Sequence, residues 1–297
     1  MIHDERIQLL NQEGVRRGNY VLYWMQHAQR ASHNHALVFA IREANRQGLP
    51  LLAVFGITQR FPEANTRSYA FMLEGLRETR GALRERGVQL QVQLQPPVDA
   101  VTALAGDAAL VVVDRGYLRI ERRWRQRAAR QLPCRLVQVE TDVVVPVETT
   151  SQKEEYAAYT IRPRIHRHLD AFLAPLEETP LERDSLTFEA GDLDLRDIAG
   201  ALDGMDIDRS ADAVGTFHGG ASQAEALLDD FIAGKLHHYA EGRNEPSDDF
   251  LSHMSPYLHF GQISPLYIAQ RVRDAEGVDQ ANRDAYLEEL IVRRELS

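Results

Sequence analysis

The segment Leu251–Ser264 contains the residues whose types and spacing point most directly to chemistry. Two Ser-Pro pairs, Ser255-Pro256 and Ser264-Pro265, each predict the start of a helix. Serine caps helix N-termini, and proline is tolerated at the first helical position. Hydroxyls beside free backbone N–H groups at such a start can bind an anion such as phosphate. The alternative interpretation is a pair of ordinary capped helices, because this kind of cap is common.

A second motif precedes this segment. Tyr239 and Arg243 are one helical turn apart, and Asn244 and Pro246 follow them. The spacing places an aromatic ring and a cation on the same side of a helix. An arginine fork suits phosphate recognition, although a surface arginine before a turn is the alternative.

Together the two motifs resemble the flavin-binding signature of the photolyase and cryptochrome superfamily. Their form is most similar to that of the class II cyclobutane pyrimidine dimer photolyases. Similar blocks occur in the expected order along nearly the whole chain: 24–26, 29–30, 34–37, 69–76, 145–148, 160–163 and 288–297.

The resemblance implies a carbon–carbon lyase that uses FAD as a light-driven electron donor to repair pyrimidine dimers in UV-damaged DNA. It assigns a set of residues to the FAD phosphates and ribityl chain: Tyr239, Leu251, Ser252, His253, Met254 and Ser255. It also allows a second, light-harvesting chromophore, a deazaflavin or a folate. Sequence reasoning leaves the identity of that chromophore open.

The same resemblance assigns DNA contact near the lesion to Arg243 and the active-site carboxyl to Glu289. A carboxyl group in a shielded pocket keeps its proton and can donate a hydrogen bond to a pyrimidine carbonyl. Two alternatives stay open for this helix. Glu289 could be an exposed carboxylate paired with Arg293 at i+4, and the neighbouring Glu288 could be the functional group instead.

The chain has 297 residues, of which 44% are hydrophobic and 26% charged, as in ordinary globular proteins. The single cysteine, Cys134, excludes an internal disulfide and is expected to be buried and inert. With no long apolar run and no signal-peptide core, we expect a cytoplasmic protein without membrane contact, and a monomer. No cysteine or carboxylate set accompanies His27, His33 and His35, so no metal site is predicted.

The net charge of −10 argues against indiscriminate nucleic-acid binding but leaves room for a local basic face. Eight arginines are concentrated between positions 115 and 135, for which a solvated helix face is the plain interpretation. They are Arg115, Arg119, Arg122, Arg123, Arg125, Arg127, Arg130 and Arg135.

Five short apolar runs alternate with helical patterns in the first half of the chain. The strands are predicted at 20–24, 51–55, 88–94, 110–114 and 136–139, and the helices at 34–47, 66–86, 98–105 and 118–131. Continuous apolar strands between helices predict an α/β domain with a doubly wound, parallel, five-stranded sheet, over residues 1–148. Residues 1–18 read as an arm or a short helix. A ligand is expected at the carboxyl ends of the strands, where a glycine-rich dinucleotide motif is absent.

Residues 149–218 predict a connector, with a helical segment interrupted at Pro163 and then a long surface linker. Residues 219–297 predict the first part of an all-helical FAD-binding domain. The resembling family continues further, so we expect a C-terminally truncated chain that is inactive by itself. A non-catalytic, cryptochrome-like photoreceptor and an inactive fragment are the alternative functions.

Overall fold

A computed structural model describes residues 2–189, 191 and 193–296. Its strands are β1 Ile7–Leu9, β2 Tyr20–Trp24, β3 Leu51–Gly56, β4 Gln89–Gln93, β5 Ala108–Asp114 and β6 Arg135–Val139. Its first six α-helices are α1 His35–Gln47, α2 Thr66–Glu85, α3 Pro97–Ala105, α4 Arg119–Gln131, α5 Val147–Thr150 and α6 Ala158–Phe172. Six more follow: α7 Ile198–Asp203, α8 Ala221–Asp230, α9 Tyr239–Gly242, α10 Ser255–His259, α11 Pro265–Arg273 and α12 Gln280–Leu287.

The sheet has the order β1-β6-β5-β2-β3-β4, and its pairs are parallel except for β1 with β6. The five predicted strands and the doubly wound topology are confirmed, but the sheet has six strands rather than five. The extra strand comes from the predicted arm, where Ile7 pairs with Val139 and Leu9 with Val137. Three residues at a sheet edge are too short to produce a recognisable apolar run.

Two apolar layers sandwich the sheet. Val21 and Tyr23 of β2 pack with α1 and α2, whereas Leu22 and Trp24 face α3 and α4. Side chains of consecutive strand residues point to opposite faces, so a strand buried on both sides must be continuously apolar. Cys134 belongs to the second layer and is fully buried, as predicted, and burial raises the pKa of its thiol.

Two residues of the predicted surface linker bond to the sheet, while most of its described residues are exposed or half-buried. Ser185 is buried, donates to the Leu51 carbonyl at 2.5 Å and accepts the Gln89 N–H at 2.8 Å. The Leu193 N–H donates to the Val92 carbonyl of β4 at 3.3 Å. Covering the open backbone of an edge strand prevents unwanted strand pairing.

The interruption predicted at Pro163 is also wrong, because α6 runs unbroken through it. Pro163 is the sixth residue of the helix, so the carbonyl that loses its N–H partner belongs to Tyr159 in the first turn. The Tyr159 side chain is exposed, which places this turn next to solvent.

Helices α6 and α8 to α12 form a separate core around Leu228, Phe231, Tyr257 and Leu266. This helical region contains two π-helical segments, Phe231–Lys235 and Glu288–Arg293, and two 3₁₀ segments, Leu236–His238 and Arg294–Leu296. The π segment Glu288–Arg293 lies in the stretch that the sequence predicts only as helical.

The helical region is fastened to the sheet domain at a buried polar cluster that we call the junction: Arg30, Thr141, Asp142, Gly261 and Gln262. Arg30 forms an ion pair with Asp142 at 2.7 Å and donates to the Gly261 carbonyl at 2.9 Å. Gly261 has φ 60°, and a Cβ there would lie 2.1 Å from the His27 carbonyl oxygen. Only glycine permits this close approach of the two regions.

Candidate functional site

Three aromatic rings form the centre of the candidate flavin site. Tyr239 packs edge-on against Phe231 and Tyr286, with ring centroids 5.7 and 5.1 Å away. The Tyr286 hydroxyl donates to Ser252 Oγ at 3.1 Å. Tyr286, which sequence reasoning missed, therefore joins two predicted cofactor residues that are 13 positions apart. Burial raises the pKa of its phenol, so the hydroxyl keeps its proton.

The backbone around Tyr239 is held by Asn282 of α12. Asn282 Oδ1 accepts the Ala240 N–H, and its Nδ2 donates to the His237 carbonyl, both at 2.7 Å. The change from 3₁₀ to α geometry at His238 interrupts the regular helical ladder here. A buried side-chain amide satisfies both kinds of backbone group, and it thereby fixes the start of α9.

Arg243 lies beside Tyr239 and faces Glu289. Its guanidinium carbon is 5.9 Å from the Tyr239 ring centroid, and Nη1 donates to the Ala285 carbonyl at 3.3 Å. Nη1 is 3.9 Å from Glu289 Oε1, and the two side chains are 29% and 39% exposed. The ion pair is long and open, so both groups can reorient toward a ligand.

Glu288, the alternative carboxyl, faces the opposite direction. It accepts hydrogen bonds from Arg162 of α6 at 2.6–3.1 Å, which lowers its pKa. Arg293 Nε lies 3.8 Å from Glu288, not from Glu289. The predicted i+4 pair is replaced by an i+5 pair, which fits the wider π geometry of this segment.

The segment 251–255 lies at the edge of this group. Among the described hydrogen bonds, the N–H groups of Ser252, His253 and Met254 have no acceptor. His253 has φ 56°, a left-handed conformation that costs a non-glycine residue about 1–2 kcal/mol. Its Nε2 is 2.7 Å from Asp249 Oδ1. Such local strain is often found at binding sites.

The predicted cap residues differ from each other. Ser264 is buried and accepts the Tyr267 N–H at 3.4 Å, which confirms it as the N-cap of α11. Ser255 does not cap α10, because the N-cap is Met254 and no side-chain cap bond forms. Ser255 is exposed and Leu251 is 46% exposed, whereas Met254 is buried.

A chain of contacts thus links Ser252, Tyr286, Tyr239, Arg243 and Glu289, a group in which the two tyrosines are buried and which we call the Tyr239 face. His253 lies next to it in the chain, and Ser255 and Leu251 lie on its exposed border. The surface offers free backbone donors, hydroxyls and one guanidinium for an anionic group, with aromatic rings beneath them.

A cavity of about 280 Å³ lies at the carboxyl ends of β2 and β3, where a ligand was predicted. Met25 and Gly56 line it from the strand ends, and Trp124 of α4 and Phe260 beyond α10 close it. The strand order reverses next to β2, since β2 pairs with both β3 and β5. The cavity therefore lies beside the topological switch point.

Two buried amides that line this cavity have unused hydrogen-bonding atoms. Gln26 Nε2 and Gln29 Oε1 have no partner among the described residues, and the side chains are 7% and 4% exposed. An unpaired buried donor and an unpaired acceptor are costly unless a ligand or water satisfies them. They provide a donor–acceptor pair for the polar edge of a ring.

His27 also lines the cavity, with Nδ1 3.3 Å from Glu121 Oε1. Burial disfavours the charged imidazolium, but the Glu121 hydrogen bond and the charge of Asp142 outweigh it and raise the pKa of His27 to about 9. Buried Asp114 fixes the loop, accepting backbone N–H groups of residues 26–28 at 2.6–2.9 Å.

The three histidines at the first strand end do not converge. His27 pairs with Glu121, His33 stacks on Tyr267 with centroids 4.3 Å apart, and His35 lies against Thr141 at 3.3 Å. Over residues 2–189, 191 and 193–296, no group of three or more His, Cys, Asp or Glu side chains could hold a metal ion. None of the described helices combines the length and the apolar character needed to cross a membrane.

Comparison with known proteins decides the family. The family described as DNA photolyase matches residues 21–182, which is more than half of the chain. The chain belongs to the DNA photolyase family. It is 48% identical over 301 residues to a deoxyribodipyrimidine photo-lyase of Methanothermobacter thermautotrophicus, covering 100% of this chain and 65% of that protein. The chain thus spans less than two thirds of this relative.

Solved structures support the fold. A class III photolyase of Agrobacterium tumefaciens superposes with a TM-score of 0.70 at 20% identity, covering 95% of this chain and 59% of that one. A cryptochrome of Synechocystis superposes with a TM-score of 0.74 at 20% identity, covering 94% and 60%. At this identity the likeness concerns the fold alone, and a photolyase and a cryptochrome match equally well.

Proposed function

We propose that this chain is part of a light-driven enzyme that repairs cyclobutane pyrimidine dimers in DNA. The observation that carries the proposal is the chain of contacts that joins Ser252, Tyr239, Arg243 and Glu289 in a DNA photolyase family member. The class II form is a part of the proposal that the motif blocks support, and the division into 1–148, 149–218 and 219–297 is a part that the alternation of strands and helices and the turn-rich connector support. A monomeric state stays a prediction.

The Tyr239 face fits the phosphate-bearing part of FAD. Ser252 and Ser255 supply hydroxyls, the 252–254 backbone supplies free N–H groups, and Tyr239 supplies a ring that is 93% buried in its own aromatic cluster. Leu251, His253 and Met254 complete the predicted segment. Reduced FAD, when bound, supplies the electron that a light-driven cleavage of the dimer requires.

Arg243 and Glu289 supply the predicted contacts to DNA. Arg243 is 29% exposed and can turn its fork toward a backbone phosphate. Glu289 is 39% exposed beside that cation, so the shielding that the proton-donor hypothesis requires is absent from the described residues. We infer that the extruded lesion itself excludes water from Glu289, because a flipped dimer fills the space above the carboxyl.

The cavity at the strand ends fits a second chromophore. Its aromatic wall and its unpaired Gln26 and Gln29 amides suit a flat ring with a polar edge, as both a deazaflavin and a folate have. The lining residues do not distinguish the two. The cavity is separate from the Tyr239 face, since none of the Tyr239-face residues lines it.

The deciding experiment measures dimer loss from an oligonucleotide under blue light with the full-length protein, and with dark samples as control. We expect light-dependent repair, and a flavin-containing protein that leaves the dimers intact would instead favour the cryptochrome-like alternative. Glu289→Gln should lower the repair yield per photon while dimer binding stays within about threefold.

Glu288→Gln is the matched control for that variant. It changes the neighbouring carboxyl in the same way, but Glu288 is bound to Arg162 and faces away from Arg243. A yield that falls in Glu288→Gln and not in Glu289→Gln would reverse the assignment.

A further inference from the structure

The outer face of α4 carries a stripe of arginines that the proposed repair site does not use. Residues 115–135 contain eight arginines and one acid, Glu121, a formal charge of +7. The rest of the chain therefore carries −17 for the total to reach −10. So strong a local reversal of sign makes this helix the positive pole of an acidic protein.

The arginines occupy a single side of the helix. At about 100° per residue, Arg119, Arg122, Arg123, Arg127 and Arg130 fall within an arc of about 140°. All five are exposed, whereas Glu121, Arg125 and Ala128 on the opposite side are buried. The stripe is about 16 Å long at 1.5 Å per residue. A strand of duplex DNA presents about five phosphates over that length.

Four of these cations have no ion-pair partner within the described residues: Arg119, Arg122, Arg123 and Arg130. The fifth, Arg127, pairs with Asp99 at 3.2 Å. Elsewhere on the described surface, exposed arginines occur both with an ion-pair partner, as in Arg46 with Glu43, and without one, as in Arg77 and Arg84. The four guanidiniums are thus free to accept an anionic partner.

We propose that the α4 stripe binds the phosphate backbone of duplex DNA, at a place distinct from the Tyr239 face. Helix α4 packs with α3 on one face of the sheet, whereas the helical region contacts α2 on the other face. A contact of this kind reads no sequence and no lesion, because phosphates are the same everywhere. It raises the local concentration of DNA around the enzyme.

The chemistry of the stripe favours DNA over an anionic membrane. A membrane-surface helix needs large apolar side chains beside its cations. On and beside α4, the exposed large apolar side chain is Leu118, which precedes the helix. Guanidinium forks along one side of a rigid helix suit a row of phosphates.

The test uses the full-length protein and an undamaged DNA duplex in the dark, so it does not depend on repair. The variant is Arg119→Gln, Arg122→Gln, Arg123→Gln and Arg130→Gln combined. We expect the slope of log affinity against log salt to become shallower by about 3 to 4, roughly 0.9 per lost phosphate contact. Affinity at low salt should fall at least tenfold.

The control combines Arg46→Gln, Arg60→Gln, Arg196→Gln and Arg273→Gln, which changes the net charge equally but removes arginines that are already paired. An unchanged slope in the stripe variant, or an equal change in the control, would overturn the proposal. The proposal would also fail if the stripe variant lost its binding to phosphatidylserine vesicles while its binding to DNA stayed intact. At saturating DNA, the stripe variant should repair bound dimers as well as the unaltered protein does. If the unaltered protein itself repaired no dimers, that result would contradict the proposed repair function but not the proposed DNA contact of α4.

Discussion

The junction and the Tyr239 face are both polar, but they are built in opposite ways. At the junction, Arg30 and Asp142 are 2% and 1% exposed and 2.7 Å apart. On the Tyr239 face, Arg243 and Glu289 are 29% and 39% exposed and 3.9 Å apart. The junction pair is thus short and buried, whereas the pair on the Tyr239 face is long and open to solvent, so its groups can still take other partners.

The segment that resembles the flavin-binding signature also contains both kinds of residue, buried and bonded on one side and accessible on the other. Gln262 is fully buried, with Oε1 accepting the Gly220 N–H at 2.7 Å and Nε2 donating to the Phe71 carbonyl at 3.3 Å. Ser252, His253 and Ser255, from the first half of the same motif, are partly or fully exposed. Gln262 therefore links the helical region to α2 of the sheet domain, whereas these three residues stay accessible to solvent.

Breaking the junction gives the largest expected effect. Arg30→Ala leaves Asp142 as an uncompensated buried carboxylate, which should lower the free energy of unfolding by about 3–5 kcal/mol. Chemical denaturation measures this change. Arg60→Ala, which removes a pair whose partners are 86% and 79% exposed, should cost less than about 1 kcal/mol. Equal losses of unfolding free energy in Arg30→Ala and Arg60→Ala would show that the buried pair contributes no more than the exposed one.

The pH dependence of stability tests the buried charges near the junction. The pKa of His27 is raised from 6.5 to about 9, so its stabilisation is complete below pH 6.5 and is lost as the pH rises through 9. The loss should amount to roughly 3 kcal/mol. His27→Gln should flatten this part of the profile, as measured by denaturation at several pH values. A parallel profile in the variant would show that other groups cause the fall.

A change of Arg243 tests the Tyr239 face in the same way. Arg243→Ala should weaken binding to dimer-containing DNA by about 1–3 kcal/mol, the scale of a charged hydrogen bond. Folding stability should change by less than about 1 kcal/mol, because the existing pair with Glu289 is long and open. Titration of labelled DNA and thermal unfolding measure the two quantities. A stability loss with unchanged affinity would make Arg243 a structural residue.

The smallest expected effects come from changing the serines of the two Ser-Pro pairs, Ser255 and Ser264, which make a closely matched test. Ser264→Ala removes a confirmed N-cap and should cost about 1 kcal/mol of stability. Ser255→Ala removes no cap bond and should leave stability unchanged within about 0.5 kcal/mol, while weakening FAD binding. Thermal unfolding and flavin titration decide the matter. If Ser255→Ala lowered the stability, Ser255 would be a structural residue, as the junction residues are.

Most of the core strands and their helices could be predicted because the buried strand is a continuous apolar run, as in Leu110–Val113, whereas β4 alternates glutamine with leucine and valine. The π segment at Glu288–Arg293 could not, since its residues suit an α-helix equally well and only packing selects the wider turn. The order of partners around Glu288 and Glu289 depends on that turn.

By itself, the sequence determined the alternation of strands and helices, the buried thiol and the positions of the candidate residues along the chain. Only the tertiary structure decided which of them meet. Tyr239 and Ser252 are joined by Tyr286, and Ser185 and Leu193 form hydrogen bonds with the backbone of β4. Local sequence patterns indicate which face of a helix or strand is buried. Contacts between distant elements arise from packing, and a single sequence contains no periodic pattern that predicts them.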